Sequence, residues 1–291
     1  MANDAHIHLY PESVFSDPQS WAIKRGERHW LNCVAPSSGP TLQGWADVDR
    51  LISDMDNAGI ERVAILGWYW ENPDTCHENA RWQIEWIKKH SDRLIAYAPF
   101  NAKGGTRSLE TLEKAFDQGL RGVGELNPPA QGFDYDDPTL RAAIEMATER
   151  GLPINFHVTD PNSRDYPGKI ETPFASLRDL AKDHPKATFV FAHLGGMMRL
   201  KELKRLPNVW VDTAAIPLMY PSIVYKKAID SIGADRMLFG TDYPLRTFPR
   251  HQRQPDFSSH LESIANAGLS AEELHSILAD NFNRIHALPG S

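Results

Sequence analysis

Eight short apolar runs punctuate the chain: Asn3–Leu9, Glu61–Leu66, Leu94–Pro99, Gly122–Leu126, Pro153–Val158, Thr188–His193, Val209–Thr213 and Arg236–Asp242. They are too continuously apolar for a sheet with one face in water. Strands buried on both faces of a parallel sheet read this way. Between them lie stretches with helical spacing of apolar residues. In Asp47–Ala58 these are Val48, Leu51, Ile52, Met55 and Ala58. Glu78–Lys89, Leu109–Gln118, Thr139–Arg150, Pro173–Asp183 and Tyr220–Ile232 follow suit. Gly59, Gly119, Gly151 and Gly233 stand just past four of these helices, where a chain that must turn sharply places glycine. A last helix is predicted over Ser270–Asp280, opened by Ser270 with Glu273 three residues on, the spacing of a capping box.

Strands alternating with helices predict an α/β fold, a (β/α)8 TIM barrel. His8 and Asp242 are 234 residues apart, or about 33 for each of seven repeats, the size of one βα unit. An open doubly wound sheet is the competitor. No G-x-G-x-x-G follows the first strand, so a dinucleotide fold lacks its main support. Residues 10–46 form a long insertion after strand one, rich in Pro, Ser and Trp, of the kind used as a lid or pocket wall. The expectation is one domain over residues 1–291, with the insertion and an extra C-terminal helix as its additions.

Composition narrows the function classes. The net charge of −7 argues against a nucleic-acid surface, which needs a basic stripe. Eight Trp, eight Tyr and twelve Phe can anchor a sizeable core. The longest near-unbroken apolar run, Val63–Trp70, falls well short of the roughly 20 residues a membrane helix needs. The N-terminus has no basic start or apolar stretch, so no signal peptide is expected and the cytoplasm is the default compartment. Two cysteines, Cys33 and Cys76, make no disulfide framework. The partner expected is a small-molecule substrate rather than nucleic acid or membrane, and a homo-oligomer remains open.

A barrel of this type carries its chemistry at the C-terminal strand ends. Those ends read His6 and His8, Glu125, His157, His193 and Asp242. Alone, His157 reads as a hydrogen-bonded core histidine, Asp242 as a turn residue and Glu125 as an acceptor for loop amides. Together they read differently. Burying six polar side chains without partners costs several kcal/mol each, and one divalent cation partners them all. Histidine with carboxylate suits zinc first, with manganese or iron as the other candidates. Weaker signals come from Trp68, Tyr69 and Trp70, divided evenly between pocket wall and rim packing. Arg164, Arg246 and Tyr243 are candidates to bind a substrate carboxylate, each arginine set against a solvated-loop reading. His29 and Trp30 lie in the insertion as candidates to cover the site. His90, His184, His260, His275 and His286 read as surface or packing residues.

Four motifs in order, Asp4-Ala5-His6-Ile7-His8, Phe156-His157-Val158, Ala192-His193-Leu194-Gly195-Gly196 and Gly240-Thr241-Asp242-Tyr243-Pro244, resemble the amidohydrolase superfamily. More narrowly, the chain resembles the amidohydrolase-related branch of metal-dependent TIM-barrel hydrolases, over about residues 3–287 including the ending Ile277–Ile285. The resemblance implies that His6 and His8 are a metal pair and that His157 is a further ligand. His193 would bind a second metal or contact substrate, and Asp242 would hold metal and move the proton. Dinuclear relatives often place a carbamylated lysine where this chain has Glu125, which leaves one or two ions open. The expected reaction is hydrolysis of a lactone, ester or amide by metal-activated water. The alternatives are nonoxidative decarboxylation or hydration of an aromatic or unsaturated acid and, last, a non-catalytic metal-binding barrel.

Overall fold

The computed structural model describes residues 1–37, 41–197 and 199–288; part of the predicted insertion, residues 38–40, lies outside them. All eight predicted strands form: β1 (Ala2–Ile7), β2 (Ile60–Ile65), β3 (Leu94–Ala96), β4 (Val123–Leu126), β5 (Ile154–Phe156), β6 (Phe189–Phe191), β7 (Val209–Asp212) and β8 (Met237–Leu238). Every pairing is parallel, in the orders β1-β2-β3 and β4-β5-β6-β7-β8. Parallel bridges Ala98–Val123 and Ile7–Tyr243 join the two sheets at both seams. The second seam is hydrogen-bonded by Ala5 N–H to the Phe239 carbonyl at 2.8 Å and Asp242 N–H to the His6 carbonyl at 2.9 Å. The architecture is the TIM barrel the alternating pattern predicts.

Several strands are shorter than their apolar runs, β8 most of all. After Leu238 the backbone leaves the ladder, and Asp242 takes a left-handed φ of +66°. That departure turns a regular strand into a loop that presents side chains. The helices form where the periodicity places them, with Val48–Ala58, Pro138–Glu149 and Phe174–Asp183 within a residue or so of expectation. The second helix begins earlier, at Pro73. Its first turn is polar and carries no apolar period, and Asn72 caps it by accepting from Asp74 N–H. The Ser270–Glu273 capping box is present in full, and the chain beyond it continues through a π-helical turn, Ser276–Asp280, to Asn281–Ile285. Among the described residues no helix is long and apolar enough to cross a membrane.

Three cores hold the molecule. The largest fills the space between strands and helices. The barrel interior holds Ala64, Leu66, Ile95, Tyr97, Val190 and Leu238. Phe282 and Ile285 of the terminal helix join that interior, and the Tyr97 hydroxyl meets His286 Nε2 at 2.9 Å. The third core belongs to the insertion, which is a structured element and not an open loop. Helices Glu12–Phe15, Pro18–Arg25 and Arg28–Val34 enclose Tyr10, Val14, Trp21 and Trp30 against Trp70 and Cys76 of the barrel. Polar clasps fix its base. The buried Glu27 carboxylate accepts from Glu71 N–H at 2.8 Å and Asn72 N–H at 3.1 Å, while Arg25 forms a two-pronged pair with Glu78.

Candidate metal centre

The strand ends bring the six predicted side chains to one place. β1 carries His6, with His8 just beyond it; β4 carries Glu125. His157 follows β5, His193 follows β6 and Asp242 follows β8. His6 and His8 face each other through Nε2 atoms 3.3 Å apart. Glu125 Oε2 lies 3.5 Å from His8 Nε2 and 3.9 Å from His6 Nε2. Its Oε1 lies 3.0 Å from His157 Nδ1 and 3.6 Å from His193 Nε2. His193 Nε2 and His157 Nδ1 are 3.1 Å apart. Asp242 Oδ1 stands 3.7 Å from His8 Nε2 and 3.9 Å from His6 Nε2. Ligand atoms about 2.1 Å from a common ion are themselves roughly 3–3.5 Å apart, so these spacings suit metal coordination. Two triads emerge, His6–His8–Glu125 and Glu125–His157–His193, sharing the glutamate, with ligand atoms in each within 4.8 Å of one another.

The protein sets the direction of two rings. His193 Nδ1 lies 2.9 Å from the Ala214 carbonyl, which can only accept. The Nδ1 atom therefore carries the proton, and the neutral ring offers a lone pair at Nε2. His6 Nδ1 lies 2.8 Å from Asp212 Oδ2. Both Nε2 lone pairs thus face the cluster, as imidazole ligands must. A donor set of imidazole nitrogen and carboxylate oxygen fits a divalent cation of borderline hardness.

The electrostatics of the bare cluster point the same way. Burial works against a charge on His6, yet Asp212 and Glu125 outweigh it and push its pKa up to about 10. His193 is likewise opposed by burial and raised to about 9 by Glu125. Burial also disfavours the Glu125 carboxylate, but His157 and His6 hold it well below the usual range. His157 is lowered, chiefly by burial. The pocket gathers carboxylate charge that draws in protons, and a divalent ion answers the same demand.

Other candidates are placed more variously. The Trp68 ring lies 5.3 Å from His8 and stacks on Tyr69 at 4.3 Å, and Tyr69 lies 5.4 Å from His157, so these two line the centre. Trp70, expected beside them, is instead fully buried in the insertion core, its Nε1–H donated to Asn79. Tyr243 is placed otherwise than expected: its ring stacks on Phe257 and its hydroxyl donates to Asp54 at 2.8 Å, so its one hydrogen is not free for a substrate carboxylate. Arg246 Nη2 donates to the Thr41 carbonyl of the insertion, while its buried Nε has no hydrogen-bond partner among the described residues. Arg164 is exposed on the loop after β5. Trp30 does not cover the site, being wholly buried among Tyr10, Trp21 and Trp70. His29 does reach the site's edge. Its ring lies 5.6 Å from Tyr69, and its Nε2 meets the Gly168 carbonyl at 2.8 Å, joining the insertion to the loop after β5. Two of the histidines read as packing residues, His260 and His286, are buried, with His260 Nδ1 3.2 Å from the Thr247 hydroxyl and His286 Nε2 2.9 Å from the Tyr97 hydroxyl.

Asp212 was missed. It ends β7 inside the seventh apolar run, Val209–Thr213, at the same strand end as the others, and that position is the available signal.

The chain resembles known proteins over nearly its whole length. The family model described as Amidohydrolase matches residues 3–285. A 4-sulfomuconolactone hydrolase from Rhizobium radiobacter is 24% identical, covering 97% of this chain and 88% of that protein. Among solved structures, 5-carboxyvanillate decarboxylase from Novosphingobium aromaticivorans, complexed with manganese, is similar with TM-score 0.74 and 16% identity over 99% of this chain and 96% of that one. The 2,6-dihydroxybenzoate decarboxylase from Rhizobium is similar with TM-score 0.66 and 18% identity, over 99% of each chain.

Proposed function

The chain belongs to the amidohydrolase family, and from that premise we propose that it is a metal-dependent hydrolase cleaving a C–O or C–N bond of a small molecule, a lactone, ester or amide. One observation carries the reading: six ligand-type side chains from five strand ends meet around a shared glutamate. The lactone hydrolase among its relatives supports the choice of reaction.

His6, His8, Glu125, His157, His193 and Asp242 would hold one or two divalent ions, zinc first and manganese or iron after it. When bound, such an ion acidifies water and polarises the substrate oxygen. The protein supplies the rest. Asp242 keeps its side chain 13% exposed at the mouth, while Glu125 below it is 2% exposed. Of the two carboxylates it is the one that substrate and solvent reach. It takes the proton of the attacking water and returns it to the leaving group. His193 presents Nε2 beside Glu125, to bind the ion or, when protonated, to donate to the developing oxyanion. Trp68 and Tyr69 form an apolar wall that suits a flat, unsaturated substrate.

Metal analysis of the purified protein, joined to a screen of lactones, amides and aromatic acids, tests the reading. Acid release without CO2 is the expected outcome; CO2 release selects a decarboxylase instead. His6→Ala and His8→Ala should each strip the ion held by their triad, and full metal content in both variants would refute the assignment.

A further inference from the structure

We propose that Asp212 is the positioning residue that makes His6 a metal ligand and holds His193 in its place, so that one buried carboxylate organises both triads. The inference rests on the metal reading above and adds a residue from β7, one of the three strands that give the cluster no ligand.

Asp212 is wholly buried, with 0% of its surface exposed. Its Oδ2 accepts from His6 Nδ1 at 2.8 Å and from Asn155 Nδ2 at 3.3 Å. Its Oδ1 accepts from His193 N–H at 3.0 Å and Ala214 N–H at 3.1 Å. The Asn155 amide and the two main-chain N–H groups donate to it, and the carboxylate is the form that accepts from all three with a lone pair left for a His6 Nδ1–H.

Two consequences follow. An ionised carboxylate can only accept, so the proton of His6 sits on Nδ1 and Nε2 keeps its lone pair toward His8 and Glu125. The opposite tautomer would place a hydrogen where the ion must bind. At Oδ1, the bond to His193 N–H falls on a residue with φ +57°, followed by Leu194 at φ +52°. Side-chain-bearing residues adopt that conformation only when their surroundings impose it. Asp212 and Ala214 impose it together, since the Ala214 carbonyl meets His193 Nδ1 at 2.9 Å while its N–H meets Asp212. His6 and Asp212 are 206 residues apart in sequence, and His193 and Asp212 are 19 apart. One side chain thus ties a ligand of β1 to a ligand that follows β6.

Asp212→Asn separates this role from simple packing. The two main-chain N–H groups cannot change, so the asparagine oxygen stays with them and its NH2 turns toward His6 and Asn155. Asn155 can flip its amide, because its Oδ1 is buried without a partner. His6 must then accept at Nδ1, which moves its proton to Nε2 and blocks coordination. In competitive chelator titrations with zinc alone, Asp212→Asn should bind about 10–100-fold more weakly than the wild type. In the zinc-loaded, 15N-histidine-labelled wild type, His6 should show a hydrogen-bonded Nδ1–H resonance, and the variant should lose it. A variant that keeps both wild-type affinity and that resonance overturns the proposal. If the variant fails to fold, the wild-type spectrum still decides: a His6 without a hydrogen-bonded Nδ1–H refutes the role assigned to Asp212. A wild type that binds no zinc or manganese overturns the metal reading itself, which tight binding with an unaltered Asp212→Asn would leave intact.

Discussion

At the strand ends, six polar side chains sit 3.0–3.9 Å from their neighbours, each aimed by a strand end and, for His6 and His193, by an acceptor behind the ring. In the adjoining insertion, Tyr10, Trp21, Trp30 and Trp70 pack ring against ring at centroid separations of 5.3–6.1 Å. The cluster depends on direction, because a lone pair turned away is a lost ligand. The aromatic core depends on area and volume, because apolar burial is non-directional. One region should therefore fail to a change of one atom, and the other only to a change of volume. The cluster also needs a rigid scaffold, which the parallel strands provide. The insertion needs only a clasped base, which Glu27 and Arg25 provide.

The largest effect should come from the smallest change. Asp242→Asn keeps the size and most of the hydrogen bonding but removes the base. A fall of at least ~10²-fold in kcat is expected, with the metal retained by the histidines. If Asp242 merely caps the turn before Tyr243-Pro244, turnover will stay near the wild-type value and the directional account fails.

Trp30→Ala tests the other region. Removing a fully buried indole costs about 3–5 kcal/mol where the surroundings cannot collapse. Calorimetry should show lower thermal stability, and hydrogen exchange should rise over residues 10–37. Bound metal should stay at the wild-type level, since Trp30 touches none of the ligands. Loss of the ion would show that the two regions are one cooperative unit. Trp30→Phe, nearer in volume, should do much less.

The smallest effect is in pH, where the regions should move in opposite directions. Burial pushes the Glu27 carboxyl up to about 7, above its ordinary value of 4.5. The folded state then holds that proton more tightly than the unfolded chain does. Its contribution is complete below about 4.5 and declines as pH rises toward 7. Metal binding instead strengthens as pH rises, because ligands must shed protons to coordinate. Exchange at the Glu71 and Asn72 amides, corrected for its intrinsic pH dependence, should quicken from pH 5 to 8 while metal affinity grows. Parallel trends would remove the distinction.

The sequence by itself determined the eight strands, the principal helices, the Ser270 cap and all six residues of the cluster. Those features are local: periodicity and the C-terminal end of an apolar run are set by neighbours along the chain, and a barrel turns every such strand end toward one face. The tertiary structure alone decided which neighbouring side chains serve the site. Trp68 and Trp70 are two residues apart, yet the first lies against His8 and the second is buried in the insertion. Tyr243 adjoins Asp242, but Asp54, 189 positions away, claims its hydroxyl. The insertion reads as a loop rich in Pro, Ser and Trp, because its order comes from tryptophans that meet only after folding. Asp212 is plain in sequence as the end of a strand, but its four donors include a histidine 206 residues away. Contacts between distant segments depend on how the strands close into a barrel, and no local pattern of residues carries that information.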